Sequence, residues 1–360
     1  MGSYHIALLP GDGAGVEVVD EGIKALNAAA RRAGNLKFHY VRFGWGSEHY
    51  RKHGRMMPED AIEQLSKFDV IYLGAVGWPD IQDHVTLNGL LLPIRRAFDQ
   101  YVNERPAVLF EGVASPLAGK KAGEIDLVVM RENTEGEYSN VGGRVYQGSD
   151  HEVAIQTSVF TRRGTERIIR YAFEAARQRN KKKKVTSITK SNAQGYGMVF
   201  WDEVFRDVAE AYPDIETESK LIDAACMDFI RKPEGFDVVV ASNLFGDILT
   251  DISAILIGSM GLAASANIDP SRRHPSMFEP VHGSAPDIAG KGIVNPLAAI
   301  LSAGMMLDFM GEKRAAGLID RAIRQNLREE KVRTPDIGGR SKTAEVGDDI
   351  CRLIEEVDLS

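Results

Sequence analysis

Two carboxylates four residues apart, Asp247 and Asp251, open an otherwise apolar helical stretch in SNLFGDILTD from Ser242. That spacing puts them on one helix face. Like charges so close repel, and a hard cation with oxygen ligands, Mg²⁺ or Mn²⁺, relieves the repulsion. The same pair also complements the positive end of a helix dipole, and these ten residues alone do not decide between the two readings. RENTEGEYS from Arg131 packs a cation, three carboxylates, an amide and the Tyr138 phenol behind the strand-like run IDLVVM. Ligands of α/β sheets collect at such carboxyl ends of strands. TKSNA from Thr189 ends another strand-like run and offers Lys190 and Asn192 on one side of an extended chain. A phenol, an amine and a carboxylate pair amount to an acid, a base and a metal clamp. Arg95 and Arg105 flank LLLPIRRAFDQYVNERP and, with Arg131, supply planar forks matched to carboxylates. Each alone is more often a surface salt-bridge partner; three around one site imply a substrate with two carboxylates.

The elements that must position these groups alternate between strand and helix. Ala14 to Arg32 carries Val16, Val19, Ile23, Leu26 and Ala30 at spacings of three and four, the apolar face of a helix that follows the strand IALLP. KFHYVRF from Lys37 reads as a second strand, and DVIYLGAV from Asp69 as one buried on both faces. IDLVVM, VTSITK and FDVVVAS continue the pattern, so the expected class is α/β. The stretch Tyr138 to Thr157, with glycines at 142, 143 and 148, has no helical period and reads as a hairpin arm. PGDGAG from Pro10 is not a Rossmann fingerprint: Gly11, Gly13 and Gly15 are spaced two apart, and no acidic residue ends the next strand. A tight strand-to-helix turn accounts for it at least as well as a ligand loop.

Composition sets the outer bounds. The chain has 360 residues, 44% of them hydrophobic, enough for a large core in two lobes. Its net charge of −7 argues against nucleic acid as a main partner. The basic run Lys181 to Lys184 reads as a solvated helix end. No long apolar run and no signal-like N-terminus occur, so no membrane partner is expected and the cytoplasm is. Two distant cysteines, Cys226 and Cys351, fit a reducing compartment and give neither a disulfide framework nor a zinc site.

With FEPVHGSAPDIAGKGIVNP from Phe278 the set of motifs becomes specific. The chain resembles the β-decarboxylating dehydrogenases, the isocitrate and isopropylmalate dehydrogenase family, and within it the tartrate and D-malate branch. The resemblance runs through LPGDGAG, DVIYLGAVGWP, RENTEGEYS, TKSNA and SNLFGDILTD to TPDIGG at Thr334. It implies a parallel-rich two-domain fold without a true Rossmann unit. The first domain is 1–100 with 257–360; the second, 101–256, makes a homodimer whose arm, about 138–157, clasps the partner. It also implies roles: Tyr138 as the acid that protonates the decarboxylated carbon, Lys190 as the group that manages the hydroxyl proton, and Asp247 and Asp251 as ligands of Mg or Mn. Asp223 would join them from the partner subunit, so that active sites are shared. Arg95, Arg105 and Arg131 match the arginines that hold the malate moiety. His282, Gly283, Ser284, Ala285 and Asp287 match the NAD loop, with Asn295 at the adenine and Asn192 near the nicotinamide. Relatives that use NADP carry lysine and tyrosine where this chain has Asp287 and Ile288.

The implied reaction is NAD- and metal-dependent oxidation, with decarboxylation, of a small 2-hydroxy diacid. HVTLNGLLLPIRR from His84 is the recognition segment, and it resembles the tartrate and D-malate branch except at Asn88, where that branch commonly has tryptophan. Leu90, Leu91 and Leu92 would suit 3-isopropylmalate if they lined the pocket, and IDAACMDF from Ile222 leans toward that branch. Two other classes compete. A regulatory or binding subunit would be expected to lose its tyrosine, lysine or aspartates, all present here. A phosphate-binding α/β protein would use the PGDGAG loop and need no metal.

Overall fold

The computed structural model describes residues 2–34 and 36–356. Its strands are β1 (Gly2–Gly11), β2 (Leu36–Arg42), β3 (Val70–Ala75), β4 (Val102–Val108), β5 (Asp126–Glu132), β6 (Gly136–Val145), β7 (Val153–Val159), β8 (Lys184–Thr189), β9 (Glu216–Leu221), β10 (Val238–Ala241), β11 (Ala264–Ile268) and β12 (Ser276–Pro280). The chain divides into two units: Met1–Gln100, Arg105–Ile125 and Ser253–Ser360 form one, Tyr101–Glu104 and Asp126–Ile252 the other. The partition differs from the expected 101–256 at two places. Arg105–Ile125 and the last turn of the Asn243–Leu256 helix belong to the first unit.

In the first unit the strand order is β2-β1-β3-β12-β11. The first three pairings are parallel and β11–β12 is antiparallel. β3 is buried throughout, as a strand covered on both faces must be. The helix Ala14–Ala33 packs on it through Val19, Leu26 and Ala30 of the expected face together with Val18, Gly22, Ala25 and Ala29, while Ile23 is half-buried and Val16 is exposed. Small residues win there because the sheet is close: a Cβ on Gly22 would lie 1.9 Å from the Tyr72 hydroxyl. That hydroxyl donates to Ala299 O at 2.7 Å, joining strand to helix Leu297–Phe309. A valine or leucine of that helix face removed from water contributes roughly 1.5–3 kcal/mol before chain entropy is counted.

In the second unit the order is β5-β10-β8-β9, all parallel. The helices Arg162–Arg179 and Gly197–Ala209 pack with them, Trp201 filling the core and donating to Ser187 Oγ. β6 and β7 pair only with each other, antiparallel, as a ribbon whose Val141, Val145, Tyr146, Val153 and Ile155 are exposed. In the basic run beside β8, Lys181 meets Asp126, Lys182 reaches Phe236 O, and Lys184 contacts Glu218 at 2.8 Å, while Lys181, Lys182 and Lys183 are exposed. No described helix is long and apolar enough to cross a membrane.

Candidate active site

PGDGAG turns out to be a joint. The amides of Asp12, Ala14, Gly15 and Val16 are already bonded, to Ala75 O, Ser284 O, Asp12 O and Gly13 O. Those four amides are committed to the chain's own carbonyls, which weighs against a phosphate-binding turn. The Asp12 carboxylate accepts from Ser47 N, Ser47 Oγ and Gly77 N at 2.7–2.8 Å. Gly13, at φ +55°, lets the turn touch the loop after β12: a Cβ there would lie 2.3 Å from Ser284 O.

That loop, still in the first unit, holds the expected cofactor residues. Gly283 and Asp287 are exposed and Ser284 is buried. Ala285 sits at φ +42° and accepts the amides of Ile288 and Ala289. His282 Nδ1 lies 2.9 Å from Gly283 O, while its Nε2 is buried with no hydrogen-bond partner. Although part of the residue reaches the surface, close packing around the ring lowers its pKa against the opposing pull of Gly283 O and Asp336. A neutral imidazole with an orphaned nitrogen, in a loop rich in backbone donors, fits a polar ligand such as a dinucleotide. Asn295, expected at the adenine, is buried; it donates to Asp336 Oδ2 at 3.0 Å and accepts from Leu297 N.

Of the recognition residues in this unit, Asn88 lies exposed on a π-helical turn, Leu87–Leu91, and its amide folds back on His84 O at 2.8 Å. Such single turns recur at functional sites. Leu90 points the other way, into the cluster of Met56, Ile94, Phe98 and Leu73. Arg95 is buried and donates to Glu279 Oε1 at 2.8 Å; the Asn267 amide donates to the same oxygen. Arg105, on β4, is also buried.

The second unit holds the acid, the base and the metal candidates. Arg131 ends β5, with Nε and Nη2 on Asn243 Oδ1 at 3.1 and 2.7 Å and Nη1 paired with Asp247. The Tyr138 hydroxyl donates to the other oxygen of Asp247 at 3.1 Å, and the Arg131 guanidinium lies 5.5 Å from the phenol ring. Burial first, then the Asp247 charge, push the phenol up to about 12, against Arg131. The phenol therefore keeps its proton at neutral pH. The three glutamates of RENTEGEYS are structural: Glu132 accepts from its own turn, Glu135 from Thr161 N and Oγ1, and Glu137 from Ser242 Oγ and Leu244 N. Glu137 thereby caps the helix that carries Asp247 and Asp251.

Lys190 donates to Asp223 Oδ2 at 3.0 Å, and that ammonium holds the Asp223 carboxyl below its ordinary range. Asn192, two residues on, is exposed. Asp247 and Asp251 offer the hard oxygen donors that Mg²⁺ or Mn²⁺ prefers. Among the described residues no three His, Cys, Asp or Glu side chains gather to hold a metal. The donor chemistry of Asp247 and Asp251 fits a divalent cation.

Sequence reasoning passed over Asn243, Glu137, Asp12 and Asp336, which aim the expected residues without resembling them chemically. Each stood inside a quoted motif, and a polar side chain next to a strand or helix end was the available signal.

Parallel-rich α/β units with ionisable and polar side chains gathered at strand ends define a ligand-binding class of site. A family model, isocitrate/isopropylmalate dehydrogenase, matches residues 5–350, and the chain belongs to that family. It is 54% identical over 361 residues to an Escherichia coli protein named D-malate dehydrogenase [decarboxylating], covering 98% of this chain and 99% of that one. It is 49% identical to the Pseudomonas putida tartrate dehydrogenase/decarboxylase, covering 99% of each. A solved isocitrate dehydrogenase from Methylococcus capsulatus superposes with a TM-score of 0.87 at 36% identity, over 98% of this chain and 99% of that one.

Proposed function

We propose that this decarboxylating dehydrogenase takes a small 2-hydroxy diacid, D-malate or a tartrate, and depends on NAD and a divalent metal. The observation that carries the reading is the trio of Tyr138, Asp247 and Arg131 at the end of β5, in a chain about half identical to enzymes named for those substrates. Bound at the His282–Asp287 loop and at Asp247 and Asp251, the two groups would supply a hydride acceptor and a Lewis acid for the hydroxyl and its neighbouring carboxylate. Lys190, paired with Asp223, manages the hydroxyl proton, taking it up only after its own ammonium has passed a proton on. Arg131 binds a substrate carboxylate with its fork. When the C–C bond to the leaving carboxylate breaks, its electron pair stays with the substrate carbon, and Tyr138 Oη delivers the proton there.

Asp287, exposed in the loop, favours NAD because a carboxylate accepts ribose hydroxyls and repels a 2′-phosphate. The exposed carboxamide of Asn88, whose nitrogen alone is satisfied by His84 O, favours a hydroxyl or hydrogen on the neighbouring carbon, since an isopropyl group would cover its oxygen without offering a donor. Leu90, committed to the core, is withdrawn from any isopropyl pocket. A homodimer is supported by the exposed apolar ribbon and by Met227, Ile230 and Ile248, more apolar surface than a lone ribbon normally leaves in water.

The test is a dinucleotide-reduction panel with Mn²⁺, using D-malate, both tartrate stereoisomers, 3-isopropylmalate and isocitrate with NAD and NADP. D-malate or a tartrate should lead in kcat/KM, with NAD far ahead of NADP, and chelation should abolish activity until Mn²⁺ is restored. A lead for 3-isopropylmalate, equal use of the two cofactors, or full activity in excess chelator would each overturn its part of the proposal.

A further inference from the structure

The first turn of helix Ala14–Ala33 holds the 282–292 segment at both ends. At one end Ala14 N donates to Ser284 O at 2.7 Å. At the other, the two oxygens of Glu17 accept from Gly290 N at 2.5 Å and Gly292 N at 3.1 Å. Gly290 and Gly292 have φ of +76° and +63°, a backbone that other residues rarely adopt, and in it both amides turn toward one carboxylate. A charged acceptor shared by two amides is stronger than two separate neutral bonds.

We propose that Glu17 is a positioning residue for the dinucleotide. By bridging Gly290 and Gly292 it fixes the far end of the loop that begins at His282, so that the loop is already shaped when the cofactor arrives. This rests on the reading that the loop takes NAD. Both carboxylate oxygens are engaged by the loop, so Glu17 acts through it. Without the bridge the loop must be ordered during binding, and that cost falls on affinity.

The experiment uses the full chain as wild type, Glu17→Ala and Glu17→Gln. Amide hydrogen exchange at Gly290 and Gly292 is measured without cofactor, NAD and NADP are titrated by fluorescence, and steady-state constants are determined. Glu17→Ala should exchange both amides faster and raise Kd and KM for the dinucleotide about tenfold, a loss typical of one charged contact. Its kcat and its KM for the diacid should stay within about twofold. Glu17→Gln keeps one acceptor oxygen and should fall between. Unchanged exchange in Glu17→Ala would overturn the bridge, whatever the cofactor. Faster exchange with unchanged dinucleotide affinity would overturn the positioning role, as would an equal loss of diacid affinity. If wild type binds neither dinucleotide, the reading of the loop fails while the exchange data still judge the bridge. Should Glu17→Ala not fold, Gly290→Ala, strained at +76° but with open space around its Cβ, carries the same comparison.

Discussion

Arg95–Glu279 and Lys190–Asp223 join the same kinds of charge over nearly the same distance, 2.8 and 3.0 Å, in very different surroundings. The first pair's side chains are 4% and 9% exposed, the second pair's 26% and 61%. In the first unit Glu279 also accepts from Asn267, so the pair lies inside a hydrogen-bonded interior that holds β11, β12 and the recognition helix together. In the second unit water reaches the pair, the Coulomb attraction is screened, and the lysine is free to exchange partners. Burial thus separates charges that shape the protein from charges available for proton transfer. Residue type alone does not.

The contrast predicts that lesions in the two regions fail in different assays. The largest effect should come from Lys190→Ala and Tyr138→Phe. On the proposed roles each removes a proton-transfer group, so turnover should fall about 10²- to 10⁴-fold while the melting temperature stays where it was. Loss of cooperative unfolding in either variant would show that the exposed region is structural after all.

Glu279→Ala should do the converse. It leaves the Arg95 cation buried without that carboxylate, a change that typically costs about 3–5 kcal/mol, readable as a lower urea midpoint with a normal slope. A stable variant with diminished activity would move Arg95–Glu279 from scaffold to chemistry.

The exposed region also gives the comparison an intersubunit form. If Tyr138 and Asp247 of one copy work with Lys190 and Asp223 of another, mixing the two dead variants by unfolding and refolding restores activity. Random pairing makes half the dimers hybrids, each with one intact site of two, so about a quarter of wild-type activity should return. No recovery with hybrids demonstrably formed would mean that each site is built within one chain.

How far the sequence reaches follows the same division by burial. β3, β5 and β10 were readable because burial on both faces demands nearly continuous apolar runs, and β8, VTSIT, by its β-branched residues. β9, ETESKL, was not: it is an edge strand with a largely wetted face, and its charges belong to Lys184, Lys220 and Asp228 rather than to any period. β12 lay hidden in SMFEP, where the conspicuous HGSAPD motif drew the reading past its strand. Tyr138, Lys190 and Asp247 were legible by chemistry at strand and helix ends. Asn243, Glu137 and Glu17 were not, because their partners are a distant guanidinium or backbone amides more than a hundred residues away. Local spacing cannot announce a contact of that kind.

The smallest effect expected concerns His282, which lies between the two extremes: a ring packed closely enough to lose its proton readily, in a residue that still reaches the surface. Desolvation disfavours the imidazolium and dominates over Gly283 O and Asp336, so the folded pKa lies below the ordinary histidine value of about 6.5. The unfolded chain then binds more protons than the folded one in that range. The neutral ring's contribution is present above the unfolded pKa and is lost as pH falls through the folded one. Glutamine cannot titrate. Urea midpoints measured from pH 8 to pH 5 should therefore fall more steeply for wild type than for His282→Gln, with the curves parallel above pH 7 and diverging only on the acid side. Parallel curves over the whole range would place the ring in water, and with it the loop's claim to a polar ligand that needs an uncharged imidazole.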